Sequence, residues 1–144
     1  MSQYYAMGDR TLWNPSNGAS RLFLGQVAVY EAELSLPSGI GPMEDDECQI
    51  DADVFGAFVE ALLAWYQRTR HAVIGALAEG FVATVLVLAR RAGIEAGRQP
   101  VAPDVGESGE DVQIPTASAS SGDARARAAA LRLKSQELSR FMTA

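Results

Sequence analysis

A mainly α fold is predicted by two features of the sequence, a long stretch of helical apolar periodicity and a change of composition after it. Residues 51–97 hold most of the chain's capacity to bury apolar surface, whereas residues 99–122 are rich in proline, glycine and acids. We therefore expect a small helical domain at residues 1–98, with three main helices and a minor N-terminal β element. A disordered linker at 99–122 and a C-terminal helix should follow.

Residues 51–97 are predicted to form two helices rather than one. A single helix of about 40 residues would be roughly 60 Å long, about twice the width of a small domain. The polar run at 67–71 interrupts the apolar pattern, so we place helices at 53–68 and 72–91. The first helix should bury one stripe, made of Phe55, Phe58, Val59, Leu62 and Tyr66.

The N-terminal third should supply the remaining main helix. Residues 3–13 place aromatic side chains on both sides of Gly8, which indicates a short β-hairpin or an extended arm. After a run of turn residues, Ser16 or Ser20 can cap a helix at about 19–34. One face of that helix carries Phe23, Val27, Tyr30 and Leu34.

Residues 123–144 are predicted to be a basic amphipathic helix or a disordered tail. The segment carries five basic and two acidic residues. Its stripe at helical spacing consists of Ala124, Ala128, Leu131, Ser135, Leu138 and Met142. Because the chain's own acidic loop at 44–53 is the nearest surface of opposite charge, one hypothesis has the tail folding back on that loop; the alternative is a tail that stays disordered.

Composition restricts the function classes. A chain of 144 residues with 48% hydrophobic residues can form a real core, and a net charge of −6 opposes binding to nucleic acid or anionic lipid. The N-terminus shows no secretory signal pattern, and the single cysteine cannot form an internal disulfide, so we expect a cytoplasmic protein. Glu79, near the middle of the apolar run at 72–89, disfavours a membrane span there.

An acidic loop is the strongest local signal. We assign partner binding to Glu44, Asp45, Asp46, Glu47 and Asp51. Together with Asp53, these residues could instead hold a hard cation or simply form a solvated loop. They do not continue into the ligand pattern of a calcium-binding helix-loop-helix, so we assign no metal-site residues.

No catalytic residues or cofactor are predicted. One histidine and one cysteine are too few for the common zinc sites. His71 should cap a helix end or face water, and Cys48, beside four acids, should have a raised thiol pKa that makes it a poor nucleophile. The stripe that contains Glu79 is interpreted as a narrow solvent-facing edge, with a polar anchor in a dimer or ligand groove as the alternative.

The order of five segments resembles an uncharacterised family of short acidic actinobacterial proteins, a domain of unknown function. The segments are YY-x-x-GDRTLWNPS, RLFLGQ, LPSGIGP, ECQID and EGFVATVLVLARRAG. The resemblance covers about residues 2–98 and implies that the tail is an addition. It implies no activity, cofactor or site.

The sequence favours a non-enzymatic protein-binding module of the regulatory, antitoxin or immunity kind, with an acidic loop that contacts a basic partner. The first alternative is a small enzyme or ligand-binding protein with an acidic metal site at 44–53. The second is a structural helical oligomer, for which a homodimer is left open. Nucleic acid is not expected as a partner, and membrane association is disfavoured.

Overall fold

A computed structural model describes residues 2–96 and 117–144, with side chains given for 2–96 and 124–144. The described part is mainly helical, as predicted, with a small sheet near the N-terminus. Its elements in order are β1 (Tyr4–Met7), β2 (Arg10–Trp13), α1 (Asn17–Leu34), β3 (Glu47–Gln49), α2 (Ala52–Arg68), α3 (Ala72–Arg91) and α4 (Ala117–Phe141).

The sheet combines a hairpin with a parallel strand. β1 and β2 pair antiparallel around Gly8, whose φ of +59° suits the turn, and this confirms the predicted N-terminal hairpin. β3 then pairs parallel with β1 on the other side, so the order is β2-β1-β3. The parallel strand was not predicted, because three residues are too short to show a periodic pattern.

Helix ends are set by side chains at the caps. Ser16 caps α1 and Asp51 caps α2, each through its side-chain oxygen. The break between α2 and α3 falls where it was predicted, and His71 begins α3 by accepting the Ile74 N–H at Nδ1. His71 therefore caps an amide group at the N-terminus of α3.

The core is built on the predicted α2 stripe. Phe55, Phe58, Val59, Leu62 and Tyr66 are all buried. On the sheet side an aromatic cluster joins β1, β2, α1 and α3: Phe23 lies 5.4 Å from Trp13 and 5.7 Å from Phe81, and Tyr30 stacks on Phe81 at 4.3 Å between ring centroids. α1 is thereby fixed against α3, with Trp65 of α2 beside Tyr30.

α4 completes the core, which contradicts the hypothesis that the tail folds back on the acidic loop. It packs on α3 and α2, with Leu131 buried, and Met142, directly after its end, is buried as well. Arg91 of α3 donates to the carbonyls of Ser139 and Met142 in the C-terminal segment and of Leu12 in β2. α4 begins at Ala117, inside the range predicted as linker; the rest of that range, 99–116, lies outside the described residues.

α3 has two different halves. Its C-terminal half is buried, whereas Val73, Ile74 and Leu77 near its N-terminus are exposed, Leu77 by 73%. The helix is long and apolar enough to cross a membrane by length and composition, but core helices pass the same test, and 44% of its most apolar window is buried. The C-terminal half of α3 therefore belongs to the core of the domain.

Candidate functional site

The four consecutive acids form the tip of a tight hairpin, which we call the acidic hairpin (residues 44–47). Glu44 and Glu47 exchange two backbone hydrogen bonds, of 2.9 and 2.8 Å. Asp45 and Asp46 lie between them with φ values of 49° and 65°, as in a type I′ turn. Aspartate tolerates this left-handed region better than most residues, so the same side chains that supply the charge also form the turn.

The acidic hairpin is tied to the sheet. The Asp46 carbonyl accepts from the Tyr4 amide at 2.8 Å, and the Gln3 side-chain amide donates to the Asp46 carboxylate at 3.4 Å. Asp46 is therefore half-buried, while Glu44, Asp45 and Glu47 are exposed. The hairpin presents its outer carboxylates on a fixed backbone at the edge of the domain.

Asp51, the fifth predicted residue, has a different position and role. Its carboxylate accepts the Val54 amide at 3.0 Å and caps α2. Its amide donates to the Gly39 carbonyl at 2.8 Å. The structure thus brings four of the predicted residues together in the hairpin, whereas Asp51 is engaged at the start of a helix.

Within the described residues, no three acidic, histidine or cysteine side chains converge as a metal site would require. The Glu47 carboxylate instead accepts a hydrogen bond from the Gln49 side chain. This arrangement gives the metal hypothesis for 44–53 no preformed ligand set.

Cys48 lies directly behind the acidic hairpin and is fully buried. Its thiol donates to the Gly41 carbonyl at 3.0 Å. Burial raises the pKa of the thiol to about 11, and the hydrogen bond lowers it by a smaller amount. The predicted direction agrees with the structure, but the cause is burial rather than the neighbouring acids.

Glu79 of α3 is half-buried. Tyr66 lies near it, and burial followed by the charge of Glu79 raises the pKa of the Tyr66 hydroxyl. On the other side, Arg127 of α4 lies over the Tyr66 ring at 5.9 Å and donates to the Tyr66 and Thr69 carbonyls at the end of α2. Arg68, at the end of α2, does not share a helix with Glu79, because the chain breaks between α2 and α3.

One further site was missed by the sequence analysis. A cavity of about 310 Å³ lies between α2, α3, α4 and the segment after α3, and we call it the α4 cavity. Ser135 lines it, is fully buried, and has an Oγ without a hydrogen-bond partner. The signal was present, since Ser135 is the polar member of an otherwise apolar stripe, but its meaning depends on where α4 packs.

The comparisons with known proteins give a family but no activity. A model described as a family of unknown function (DUF6086) matches residues 1–144. No curated protein and no solved structure matches the chain. The match extends through α4, so the expectation that family resemblance ends near residue 98 is wrong; this agrees with the packing of α4 in the core.

Proposed function

Because the chain belongs to a family of unknown function, we propose from its own surface that it is a non-enzymatic, cytoplasmic protein-binding module that contacts a basic partner through the acidic hairpin. A regulatory, antitoxin or immunity role would use such a surface. The resemblance to short acidic actinobacterial proteins is consistent with this proposal. That resemblance remains a prediction from the sequence.

The observation that carries the proposal is the fixed conformation of the acidic hairpin. Its turn is closed by two backbone hydrogen bonds, and a third joins Asp46 to β1. Exposed carboxylates on an ordered backbone lose less conformational entropy on binding than carboxylates on a mobile loop. Charge complementarity of this kind acts mainly on association rate and specificity.

Isosteric neutralisation of the hairpin tests the proposal. The variant combines Glu44→Gln, Asp45→Asn, Asp46→Asn and Glu47→Gln, because asparagine also tolerates positive φ and keeps the turn. The control neutralises four acids elsewhere, with Asp9→Asn, Glu33→Gln, Glu60→Gln and Glu137→Gln. Both variants change the net charge equally and should fold like the wild type.

The measurement is quantitative co-purification from the native host at low and high salt. Proteins with basic surfaces should be retained by the wild type and the control but lost by the hairpin variant, most clearly at low salt. Equal retention by both variants would contradict docking at the hairpin. A rise of several degrees in wild-type Tm with millimolar calcium, absent in the hairpin variant, would favour the metal alternative instead.

A helical oligomer is the second candidate, favoured by the exposed α3 face, which we define as Val73, Ile74 and Leu77 with the small residues Ala76 and Gly80. No heavy atom lies within 4 Å of a β-carbon built at Gly80, so a second helix can approach closely there. The occupant proposed is the same face of a second copy, as in a symmetric dimer. α2 is about 25 Å long and separates this face from the acidic hairpin, so the two surfaces can act independently.

Mass in solution tests the oligomer. Light scattering should give a dimer for the wild type and a monomer for Leu77→Glu. Leu133→Glu, at a leucine of similar exposure on α4, is the control and should stay dimeric. A monomeric wild type at high micromolar concentration would contradict the oligomer, and its partition into lipid vesicles would point to a membrane surface instead.

A further inference from the structure

The α4 cavity has the size and lining of a small-molecule site. Its volume of about 310 Å³ lies at the lower end of the range for ligand pockets, about 300–1,000 Å³. This is room for a small organic molecule rather than a large cofactor. Its apolar lining comes from three helices and the segment after α3, and includes Leu63, Leu86, Ala89, Ile94 and Leu131.

Ser135 gives this cavity an unused polar group. Its side chain is fully buried, and its Oγ has no partner in the described part of the chain. A buried hydroxyl without a partner is unfavourable, and such groups in proteins are usually paired with protein, water or a ligand. Ser135 is among the residues that line the cavity, so rotation of its side chain toward the cavity lets a ligand there accept its hydrogen bond.

The cavity rim is basic, although the chain carries a net charge of −6. Three arginines line it, Arg90, Arg127 and Arg132, whereas Glu95 is the acid among the described lining residues. Arg127 is occupied by the carbonyls at the end of α2. Arg90 and Arg132 are exposed. Arg132 lies one helical turn before Ser135 on the same side of α4, and both line the cavity.

We propose that the α4 cavity binds a small monocarboxylate with an apolar body. The carboxylate accepts hydrogen bonds from the Ser135 hydroxyl and the Arg132 guanidinium, with Arg90 as the second cation. The apolar body lies against Leu63, Leu86 and Ile94. This site is separate from the acidic hairpin and does not depend on the function proposed above.

Octanoate is a suitable probe, because it is a small molecule with a single carboxylate and an unbranched apolar chain. Full-length protein is titrated with octanoate below its micelle concentration, with calorimetry for affinity and amide NMR shifts for location. Saturable binding should shift the amides of residues around Leu63, Ile94 and Ser135. 1-Octanol, which matches the chain length without the charge, should bind about tenfold more weakly or worse.

Variants assign the roles of the individual groups. Arg132→Gln should weaken octanoate binding by about tenfold and Arg90→Gln by about threefold, because charge-assisted hydrogen bonds are stronger than neutral ones. Arg125→Gln, at an exposed arginine of α4 outside the cavity lining, should leave the affinity unchanged. Ser135→Ala should weaken binding several-fold while leaving Tm unchanged or raised, which a purely structural serine would not do.

Three results would overturn the proposal. Equal affinity for octanol and octanoate would show an apolar void that does not select for charge. Affinity that is unaffected by Arg132→Gln and Ser135→Ala, both with wild-type Tm, would place the carboxylate elsewhere. Shifts confined to the exposed α3 face would show that octanoate binds the molecular surface and not the cavity.

Discussion

Cys48 shows how burial decides the chemistry of a single side chain. Its thiol is enclosed behind the acidic hairpin, and burial raises its pKa from 9.0 to about 11. The neutral thiol is therefore favoured in the folded state. This contribution to stability is fully present below pH 9 and is lost as the pH rises to about 11, because the unfolded chain then releases its proton first.

Alkaline titration of stability should reveal this loss. We expect the free energy of unfolding in urea to fall by about 1–3 kcal/mol between pH 9 and 11, and we expect Cys48→Ser or Cys48→Ala to reduce the slope. Tyr5 adds a similar loss toward pH 12, since burial raises its pKa to about 12. A wild-type stability that stays constant from pH 8 to 11 would contradict the buried position of the thiol.

Phe58 tests the assignment of the α2 stripe to the core. Its side chain is fully buried, so Phe58→Ala should cost about 3–5 kcal/mol and can unfold the domain. Phe141→Ala is the matched control, because Phe141 is 75% exposed and should change stability by less than about 0.5 kcal/mol. Urea melts of both variants measure the change in unfolding free energy. Similar losses of stability in the two variants would contradict the burial of Phe58.

At the scale of elements, Arg91 joins parts of the chain that are distant in sequence. Its guanidinium donates to Leu12 at 2.7 Å, Ser139 at 3.1 Å and Met142 at 2.6 Å. Burial lowers the pKa of Arg91, and the three carbonyls compensate for part of that desolvation. The guanidinium reaches these acceptors from two nitrogen atoms, whereas a lysine would have to reach all three from a single nitrogen.

Replacing Arg91 should therefore loosen α4 as well as α3. Arg91→Met should cost about 2–3 kcal/mol, and Arg91→Lys should recover only part of it. Arg90→Met, at the exposed neighbour, is the control and should have little effect on thermal unfolding. If Arg90→Met destabilised the protein as much as Arg91→Met, the three hydrogen bonds of Arg91 would not be the contacts that hold the C-terminal segment against α3.

Helices were predictable from the sequence wherever the capping residue and the apolar spacing lie within one short segment of the chain. The polar run at 67–71 marked the end of α2, and the cap of α1 is Ser16, one of the two serines that the sequence offered for it. The partner of α4 was not predictable, because the periodic stripe shows which residues are buried but not the surface that buries them. Charge favoured the acidic loop, whereas burial of Leu131 and Met142 fixes α4 on α3; apolar burial generally contributes more than exposed ion pairs.

The acidic hairpin was recognised from the sequence as a charged cluster, but not as a turn. The run of four acids does not by itself show that Asp45 and Asp46 take positive φ, and the hydrogen bond from Tyr4 that ties the turn to β1 joins residues far apart in the chain. The α4 cavity was missed for a similar reason. Its walls come from segments separated by tens of residues, and the position of Ser135 becomes informative only after α4 is docked.

At the scale of the whole molecule, α4 belongs to the same folded unit as α2 and α3. Leu131 and Met142 join the core, the Asn14 amide donates to the Thr143 carbonyl at 2.7 Å, and Arg91 holds the end of α4. The α4 cavity exists only if this packing is present. Both the cavity and the shape of the molecule therefore depend on the packing of α4.

The packing of α4 can be measured by hydrogen exchange of the full-length protein, read by mass spectrometry at low and high salt. We expect amides of 128–141 to be protected nearly as strongly as those of the buried half of α3, at both salt concentrations, because apolar packing is little screened by ions. Amides of 128–141 that exchange at the rate of an unfolded peptide, while 81–91 stay protected, would contradict it.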